Sequence, residues 1–89
     1  MKYIIINSIF HIDDKSHDIY NIGVTEDPNE ATQIMLNDYK STLEKMLYTE
    51  EEIEQKICME KEIGVISNTE ALYEYNDEEY HKWQIIQIN

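Results

Sequence analysis

Carboxylates are the side chains of this sequence most able to do chemistry. The 89-residue chain contains nineteen Asp and Glu against seven Lys and no Arg, a formal net charge of −12 at pH 7. Such an excess disfavours binding to phosphate groups and favours attraction to basic surfaces. The missing Arg strengthens the point, because Arg is the side chain best suited to two-pronged contacts with phosphate and carboxylate. We therefore expect a basic protein partner and no direct binding of nucleic acid.

The acids fall into three clusters. The densest consists of Glu50, Glu51, Glu52 and Glu54, and the others are Asp77-Glu78-Glu79 and Asp13-Asp14. A helix rises about 1.5 Å per residue, so the charges of the first cluster are spaced much as in duplex DNA, which carries about one per 1.7 Å. Tyrosines flank the clusters and offer large contact areas with few rotatable bonds. The predicted partner-binding residues are Glu50, Glu51, Glu54, Asp77, Glu78, Glu79, Tyr48 and Tyr80.

Each of these features also has a purely structural interpretation. Carboxylates in the first turn of a helix favour its positive end, and Glu52 can pair with Lys56 one turn later. The tyrosines can belong to the core face of strands. These explanations account for two or three acids, and they leave the surplus of twelve unexplained.

Other chemistry has little support. His11, Asp13 and His17 lie in one short segment and could hold a metal, but a solvated connection between strands explains them more simply. Cys58 has acidic neighbours, which oppose formation of a thiolate, and we expect it in the core. With two Gly, the chain has neither a phosphate-binding loop nor a dinucleotide motif. We predict no catalytic residue, no cofactor and no metal.

The first part of the chain predicts two strands and a helix. Residues 2–10 are rich in Ile and indicate a strand buried on both faces. Residues 19–24 indicate a second strand, in which Gly23 marks a bulge or a close approach. A helix over about 28–47 follows, with Asp27 as cap, Pro28 at the first position and Glu30 completing a capping box. Its apolar stripe is Ala31, Met35, Tyr39, Leu43 and Met46.

The second part predicts another helix and a returning strand. Thr49 begins a capping box for a helix over 50–62, with Tyr48 and Ile53 at the positions of a hydrophobic staple, and Gly64 ends it. Residues 68–76 fit either a short third helix or a strand. Residues 80–88 indicate a strand that pairs beside the first. The predicted fold is α+β: a small, mainly antiparallel sheet with two or three helices on one face, its far face partly exposed or used for dimerisation.

Length and composition predict a single domain over residues 1–89. One Cys excludes a disulfide within the chain and suits a reducing cytoplasm. The start of the sequence lacks the pattern of a signal peptide, and no stretch has the length and hydrophobicity of a membrane span. We expect a cytoplasmic monomer or homodimer without membrane association.

In size, charge, tyrosine content and α+β layout, the sequence resembles the small acidic inhibitors encoded by phages and mobile elements. These include anti-CRISPR proteins and inhibitors of uracil-DNA glycosylase, several of which imitate DNA with carboxylates. The resemblance implies a cytoplasmic, non-catalytic inhibitor of a basic nucleic-acid-binding host protein, within the host cell if the protein is phage-encoded. It rests on no motif, and it transfers no role to a particular residue.

Three functional hypotheses follow. The first is a DNA-mimicking inhibitor of a CRISPR effector or DNA-processing enzyme. The second is a protein-interaction or regulatory module whose acidity serves solubility. The third is a small enzyme, which requires His11, Asp13 and His17 to converge. We adopt the first because it accounts for the charge and the missing Arg together. It requires the acids to gather on one part of the surface.

Overall fold

Four strands and two helices follow one another along the computed structural model, which describes residues 1–89. The elements are β1 (Lys2–His11), β2 (His17–Thr25), α1 (Pro28–Lys45), α2 (Glu50–Glu62), β3 (Glu70–Tyr75) and β4 (Glu79–Ile88). The strands pair antiparallel throughout, in the order β2-β1-β4-β3. The predicted α+β class is confirmed. Of the two alternatives for residues 68–76, the strand is the one that forms.

The pairing of β1 with β4 runs the full length of both strands, from Lys2 opposite Ile88 to His11 opposite Glu79. The predicted return of the last strand to the first is therefore confirmed. The pairing of β1 with β2 shifts register between Ile5 and Ile6, which leaves an extra residue at Ile22 and makes a β-bulge.

Gly23 lies next to this bulge and also meets α1 closely. A Cβ atom built at Gly23 would lie 3.1 Å from Cγ2 of Ile34 on the helix, tighter than an ordinary van der Waals contact. Both expectations for Gly23, a bulge and a close approach, are confirmed.

The helices cover one face of the sheet, which we call the inner face. On β1 it carries buried Ile5 and Asn7, whereas Ile4 and Ile6 on the opposite, outer face are only half-buried. The prediction that β1 is buried on both faces is wrong. A continuous apolar run such as Ile4 to Ile6 does not distinguish a strand covered on both faces from one whose outer face is left open.

Both helices begin at the predicted caps. The Asp27 side chain accepts a hydrogen bond from the Asn29 amide at 2.9 Å, and Thr49 and Glu52 form a reciprocal capping box. The capping box predicted for Glu30 is wrong, because the Asp27 amide donates to the Thr25 hydroxyl at 3.1 Å instead.

Glu52 also differs from its predicted pairing. Its carboxylate is used in the cap, and Lys56 pairs with Glu60 at 3.2 Å. The hydrogen bond from the Thr49 amide lowers the pKa of the Glu52 carboxyl. Neither α1 nor α2 combines the length and apolar content needed to cross a bilayer.

The two helices end in the same way. After α2, the Gly64 amide donates to Lys61 and the Val65 amide to Glu60, with Gly64 at φ +84°. After α1, the same pair of bonds runs from Leu47 to Glu44 and from Tyr48 to Leu43, the pattern of a Schellman motif. Gly64 is the predicted stop, but at the equivalent position of α1 a leucine adopts φ +68°.

The core fills the space between the inner face and the helices. Trp83 of β4 is fully buried, meets Tyr39 of α1 edge to face at 5.2 Å, and donates its indole N–H to the Asp38 carboxylate at 2.7 Å. The predicted stripe of α1 is buried apart from half-exposed Met46. Cys58 was expected in the core and is exposed. The buried residues of α2 are Ile53 and Ile57, and Cys58 is rotated about 100° from Ile57 around the helix.

The caps give the first test of this fold. Replacing Thr49 or Asp27 by Ala removes a side chain that accepts from an otherwise unpaired helix amide. Each change should lower the free energy of unfolding by about 1 kcal/mol. Thr49→Ser keeps a hydroxyl acceptor at the cap and should preserve most of this stabilisation. Chemical denaturation measures this. Alanine variants as stable as the parent would contradict these helix starts.

Two buried tyrosines give a test at alkaline pH. Burial raises the pKa of the Tyr39 and Tyr73 phenols above the usual value of about 10. Because the folded-state pKa exceeds the unfolded one, their contribution to stability is fully present below about pH 10 and is lost as the pH rises beyond it. We expect unfolding to become easier above that pH, with the last part of the tyrosinate absorbance change appearing together with the loss of structure.

The variant Tyr39→Phe isolates the contribution of the Tyr39 phenol to unfolding at alkaline pH. The Tyr39 hydroxyl is buried without a hydrogen-bond partner, so its removal should leave stability at neutral pH unchanged or raise it by about 1 kcal/mol. The advantage over the parent should grow above about pH 10. The exposed Tyr20→Phe is the control. An equal pH response of the two variants would contradict the role of burial at Tyr39.

Candidate functional site

The two β-hairpin turns of the protein lie side by side. Because β1 and β4 are antiparallel neighbours, the end of β1 at His11 meets the start of β4 at Glu79. The Ile12 amide donates to the Glu78 carbonyl at 2.9 Å and joins one turn to the other. Two acidic clusters that are distant in sequence thus meet at one end of the sheet. We call it the acidic end, and it consists of Asp13, Asp14, Asp18, Asp77, Glu78 and Glu79.

Turn geometry fixes where these carboxylates emerge. Between β3 and β4, Asn76 and Asp77 have φ angles of +45° and +59°, and the Glu78 amide donates to the Tyr75 carbonyl at 2.8 Å. Positive φ at both central residues is the type I′ conformation that suits the twist of a hairpin, and Asn and Asp tolerate it. Because Tyr75 pairs with Glu79, the loop contains three residues, the third being Glu78. In the other turn, Asp14 accepts from the Ser16 amide at 3.0 Å.

Imidazoles and carboxylates form a line inside the acidic end. His11 places Nε2 3.2 Å from the Asp18 carboxylate and Nδ1 3.6 Å from the Glu79 carboxylate. The other oxygen of Glu79 lies 3.3 Å from Nε2 of His81. His81 is buried and stacks on Trp83, with ring centroids 6.0 Å apart. Glu79 therefore links the acidic end to the core, a contact that sequence reasoning did not find.

The His-containing segment does not converge as the enzyme hypothesis requires. His11 points to the inner face, whereas His17 packs on the Phe10 ring of the outer face at 5.9 Å. Asp13 makes no contact with either imidazole. No group of three His, Cys, Asp or Glu side chains has a geometry that could hold a metal ion.

The start of α2 is anchored to β3, and its acids Glu50 and Glu54 lie beside Lys40 and Glu44 of α1. Tyr48, just before α2, lies edge to face against Tyr73 of β3, and their hydroxyls are 3.4 Å apart. Tyr73 in turn packs against His81. These contacts hold the start of α2, with exposed Glu50 and Glu51, over the half of the sheet that leads to the hairpin turns.

The remaining predicted residues are placed differently. Glu54 is exposed and lies 3.5 Å from Lys40 of α1, so its charge is partly compensated. Tyr80 is on the outer face, where its hydroxyl donates to Glu74 at 3.4 Å. The negative charge of Glu74 raises the pKa of the Tyr80 phenol. The structure thus brings the hairpin acids together and directs the Tyr48 ring inward.

Leu47 is an additional candidate that sequence reasoning missed. Its side chain is 90% exposed, and its backbone adopts the left-handed conformation that strains a leucine. Local strain at an exposed position is a recurring property of binding sites. The signal in the sequence was a leucine at the position after the helix cap where glycine is usual. Leu47 lies three residues before Glu50.

A groove lined by both polar and apolar side chains opens on the inner face beside the end of α1, with Asn7, Tyr20, Thr42, Lys45 and His81 among its lining residues. Asn7 and His81 are buried there, and Nδ2 of the one and Nδ1 of the other have no hydrogen-bond partner. Such orphaned atoms are uncommon in folded proteins. The groove lies next to the acidic end through His81.

Comparison with known proteins yields no match to a family model, to a curated protein or to a solved structure. The assignment of function therefore depends on the site itself.

Variants at Glu79 and Asp77 test which carboxylates of the acidic end stabilise the fold. Glu79→Ala leaves buried His81 without a partner for either ring nitrogen, and should lower the free energy of unfolding by about 1–3 kcal/mol. Asp77→Asn keeps the turn conformation and should change stability by less than about 0.5 kcal/mol. Chemical denaturation near neutral pH compares them. Equal stability of the two variants would contradict the anchoring role of Glu79.

Proposed function

We propose that this protein is a non-catalytic, acidic inhibitor that binds the basic nucleic-acid groove of a host protein in the cytoplasm. A CRISPR effector or a DNA-processing enzyme is the kind of target meant, and the inhibitor would act as a DNA mimic. The observation that supports this best is the acidic end, where β1–β4 pairing gathers six carboxylates from two separate turns.

Three of the six carboxylates of the acidic end are free to meet a partner. Asp13, Asp77 and Glu78 are exposed, and their side chains make no hydrogen bond or ion pair within the chain. Lys15 is the one lysine of the two turns. A groove rich in Lys and Arg would therefore meet a surface of nearly uniform negative charge, which is the complementarity that attracts and orients a partner.

Glu50 and Glu51 can extend this surface along the start of α2, because they are exposed and unpaired. Leu47 adds an exposed apolar side chain beside them. Apolar contact at the centre of a charged surface supplies binding energy that persists when salt screens the charges, whereas the carboxylates mainly speed the encounter.

A protein-interaction module whose acidity serves solubility is the second candidate. It is favoured by the outer face of the sheet, where Phe10, Ile19, Val24 and Ile86 are exposed. Contiguous apolar surface of this kind marks an interaction site independent of charge. The two candidates differ in whether the position of the acids, or only their number, matters.

A matched pair of variants tests the position of the charge. Asp77→Asn with Glu78→Gln removes two charges from the acidic end, and Glu26→Gln with Glu30→Gln removes two exposed charges from the opposite end of the sheet. Proteins captured from a bacterial lysate are eluted with rising salt, and each basic nucleic-acid enzyme recovered is tested for displacement of its labelled DNA. We expect the hairpin variant to lose about three- to tenfold in inhibition at low salt, and the control to match the parent.

Two results would contradict the proposal. Equal loss in both double variants would mean that total charge alone matters, which favours the interaction module. Recovered enzymes that bind the protein but keep their DNA would exclude mimicry. Inhibition should also weaken with rising salt, since screening acts over about 8 Å at physiological ionic strength.

A further inference from the structure

The outer face of the sheet has no cover within the chain. Both helices pack on the inner face, so the outward side chains of all four strands meet solvent. Several are apolar and substantially exposed, with exposed fractions of 63% for Ile19, 54% for Val24 and 43% for Ile86. Phe10, Leu72, Tyr80 and Ile88 are exposed on the same face. Apolar patches of this kind in small proteins mark interaction surfaces.

Charge distinguishes the outer face from the rest of the molecule. It carries Lys2 and Lys82 together with Glu70 and Glu74, so its formal charges cancel. The whole net charge of −12 therefore lies elsewhere. A second copy of this chain approaching the acidic end or the start of α2 meets like charge, whereas the outer face offers apolar contact without net repulsion.

Lys82 adds a specific contact. It lies between Leu72 and Ser8 of the neighbouring strands and forms no ion pair within the chain. Glu70 and Glu74 stand on β3 at the edge of the same face. In a symmetric pair, each contact occurs twice because both copies use the same surface. Lys82 of each copy can then meet these glutamates of the other, in addition to Glu70 and Glu74 that neighbour it diagonally within its own sheet.

We propose that the outer face is the interface of a symmetric homodimer, in which two sheets pack face to face. Sheets packed in this way stand about 10 Å apart and interdigitate their apolar side chains. The acidic end and both helices stay free in such a pair, so the dimer does not depend on the function proposed above.

The salt dependence of this dimer has a defined sign. Two copies of charge −12 repel each other through the surfaces that stay exposed. Salt screens that repulsion, so the dimer should tighten as salt rises. Binding of a basic partner should weaken under the same conditions. The two interactions can therefore be told apart in one salt series.

Sedimentation equilibrium tests the proposal, from micromolar to submillimolar protein, at about 0.05 and about 0.5 M NaCl, with reductant to keep Cys58 a thiol. Ile86→Lys places a charge in the apolar part of the face and should weaken the dimer at least a hundredfold, to about the monomer limit. Met59→Lys makes the same change of charge at an exposed position of α2, and should dimerise as the parent does.

A second pair covers the event that Ile86→Lys fails to fold, which circular dichroism would reveal. Lys82→Glu places a like charge against Glu70 and Glu74, and should weaken the dimer about tenfold or more. Lys61→Glu is its control on α2. A parent that stays monomeric at submillimolar concentration and high salt would overturn the proposal. So would a dimer that both outer-face variants leave intact, since it would use another surface, such as the edge of β2.

Discussion

The antiparallel pairing of β1 with β4 is the interaction on which the rest of this structure depends. It joins the first and last segments of the chain along their whole length. The two hairpins then become one sheet, with β2 and β3 at its edges. Neither hairpin alone offers a surface wide enough for α1 to cover, and two-stranded hairpins are marginally stable in water. The core around Trp83 and the acidic end both exist because of this pairing.

The same pairing divides the molecule into regions of different chemistry. The inner face buries the core and its few polar groups, and the outer face combines exposed apolar side chains with two Lys and two Glu and has no net charge. The turns and helix surfaces carry the negative charge. An open antiparallel sheet with helices on one side permits this separation, since alternate side chains of each strand point to opposite faces. Recognition of a basic partner and self-association can thus use different surfaces.

Local signals in the sequence predicted the elements well. The capping box of Thr49 and Glu52 and the stop at Gly64 depend on residues within one turn of each other, so they could be found without the fold. The pairing of β4 beside β1 was predicted, but its register was not. The predicted capping box of Glu30 is wrong because two side chains can accept from the same amide. The Asp27 amide donates to the Thr25 hydroxyl, which leaves none for the Glu30 carboxylate.

The candidate site depends on contacts between distant residues, and sequence predicted less of it. The acids were identified by composition, but the meeting of Asp13 with Asp77 at one end required the strand order. Glu79 was predicted as a partner-binding residue, and its contacts with His11 and His81 come from cross-strand register and were not predicted. The exposure of Cys58 depends on how α2 is rotated against the sheet, which its short apolar pattern did not specify.

Trp83 and Cys58 have a practical consequence as a pair. The chain has one Trp, which is buried against α1, and one Cys, which is exposed on α2. The indole is a natural fluorescence donor, and the thiol accepts a dye at a single position. Energy transfer between them measures the separation of the sheet from α2 in solution, with no substitution in the protein. Opening of α2 away from the sheet would appear as a loss of transfer.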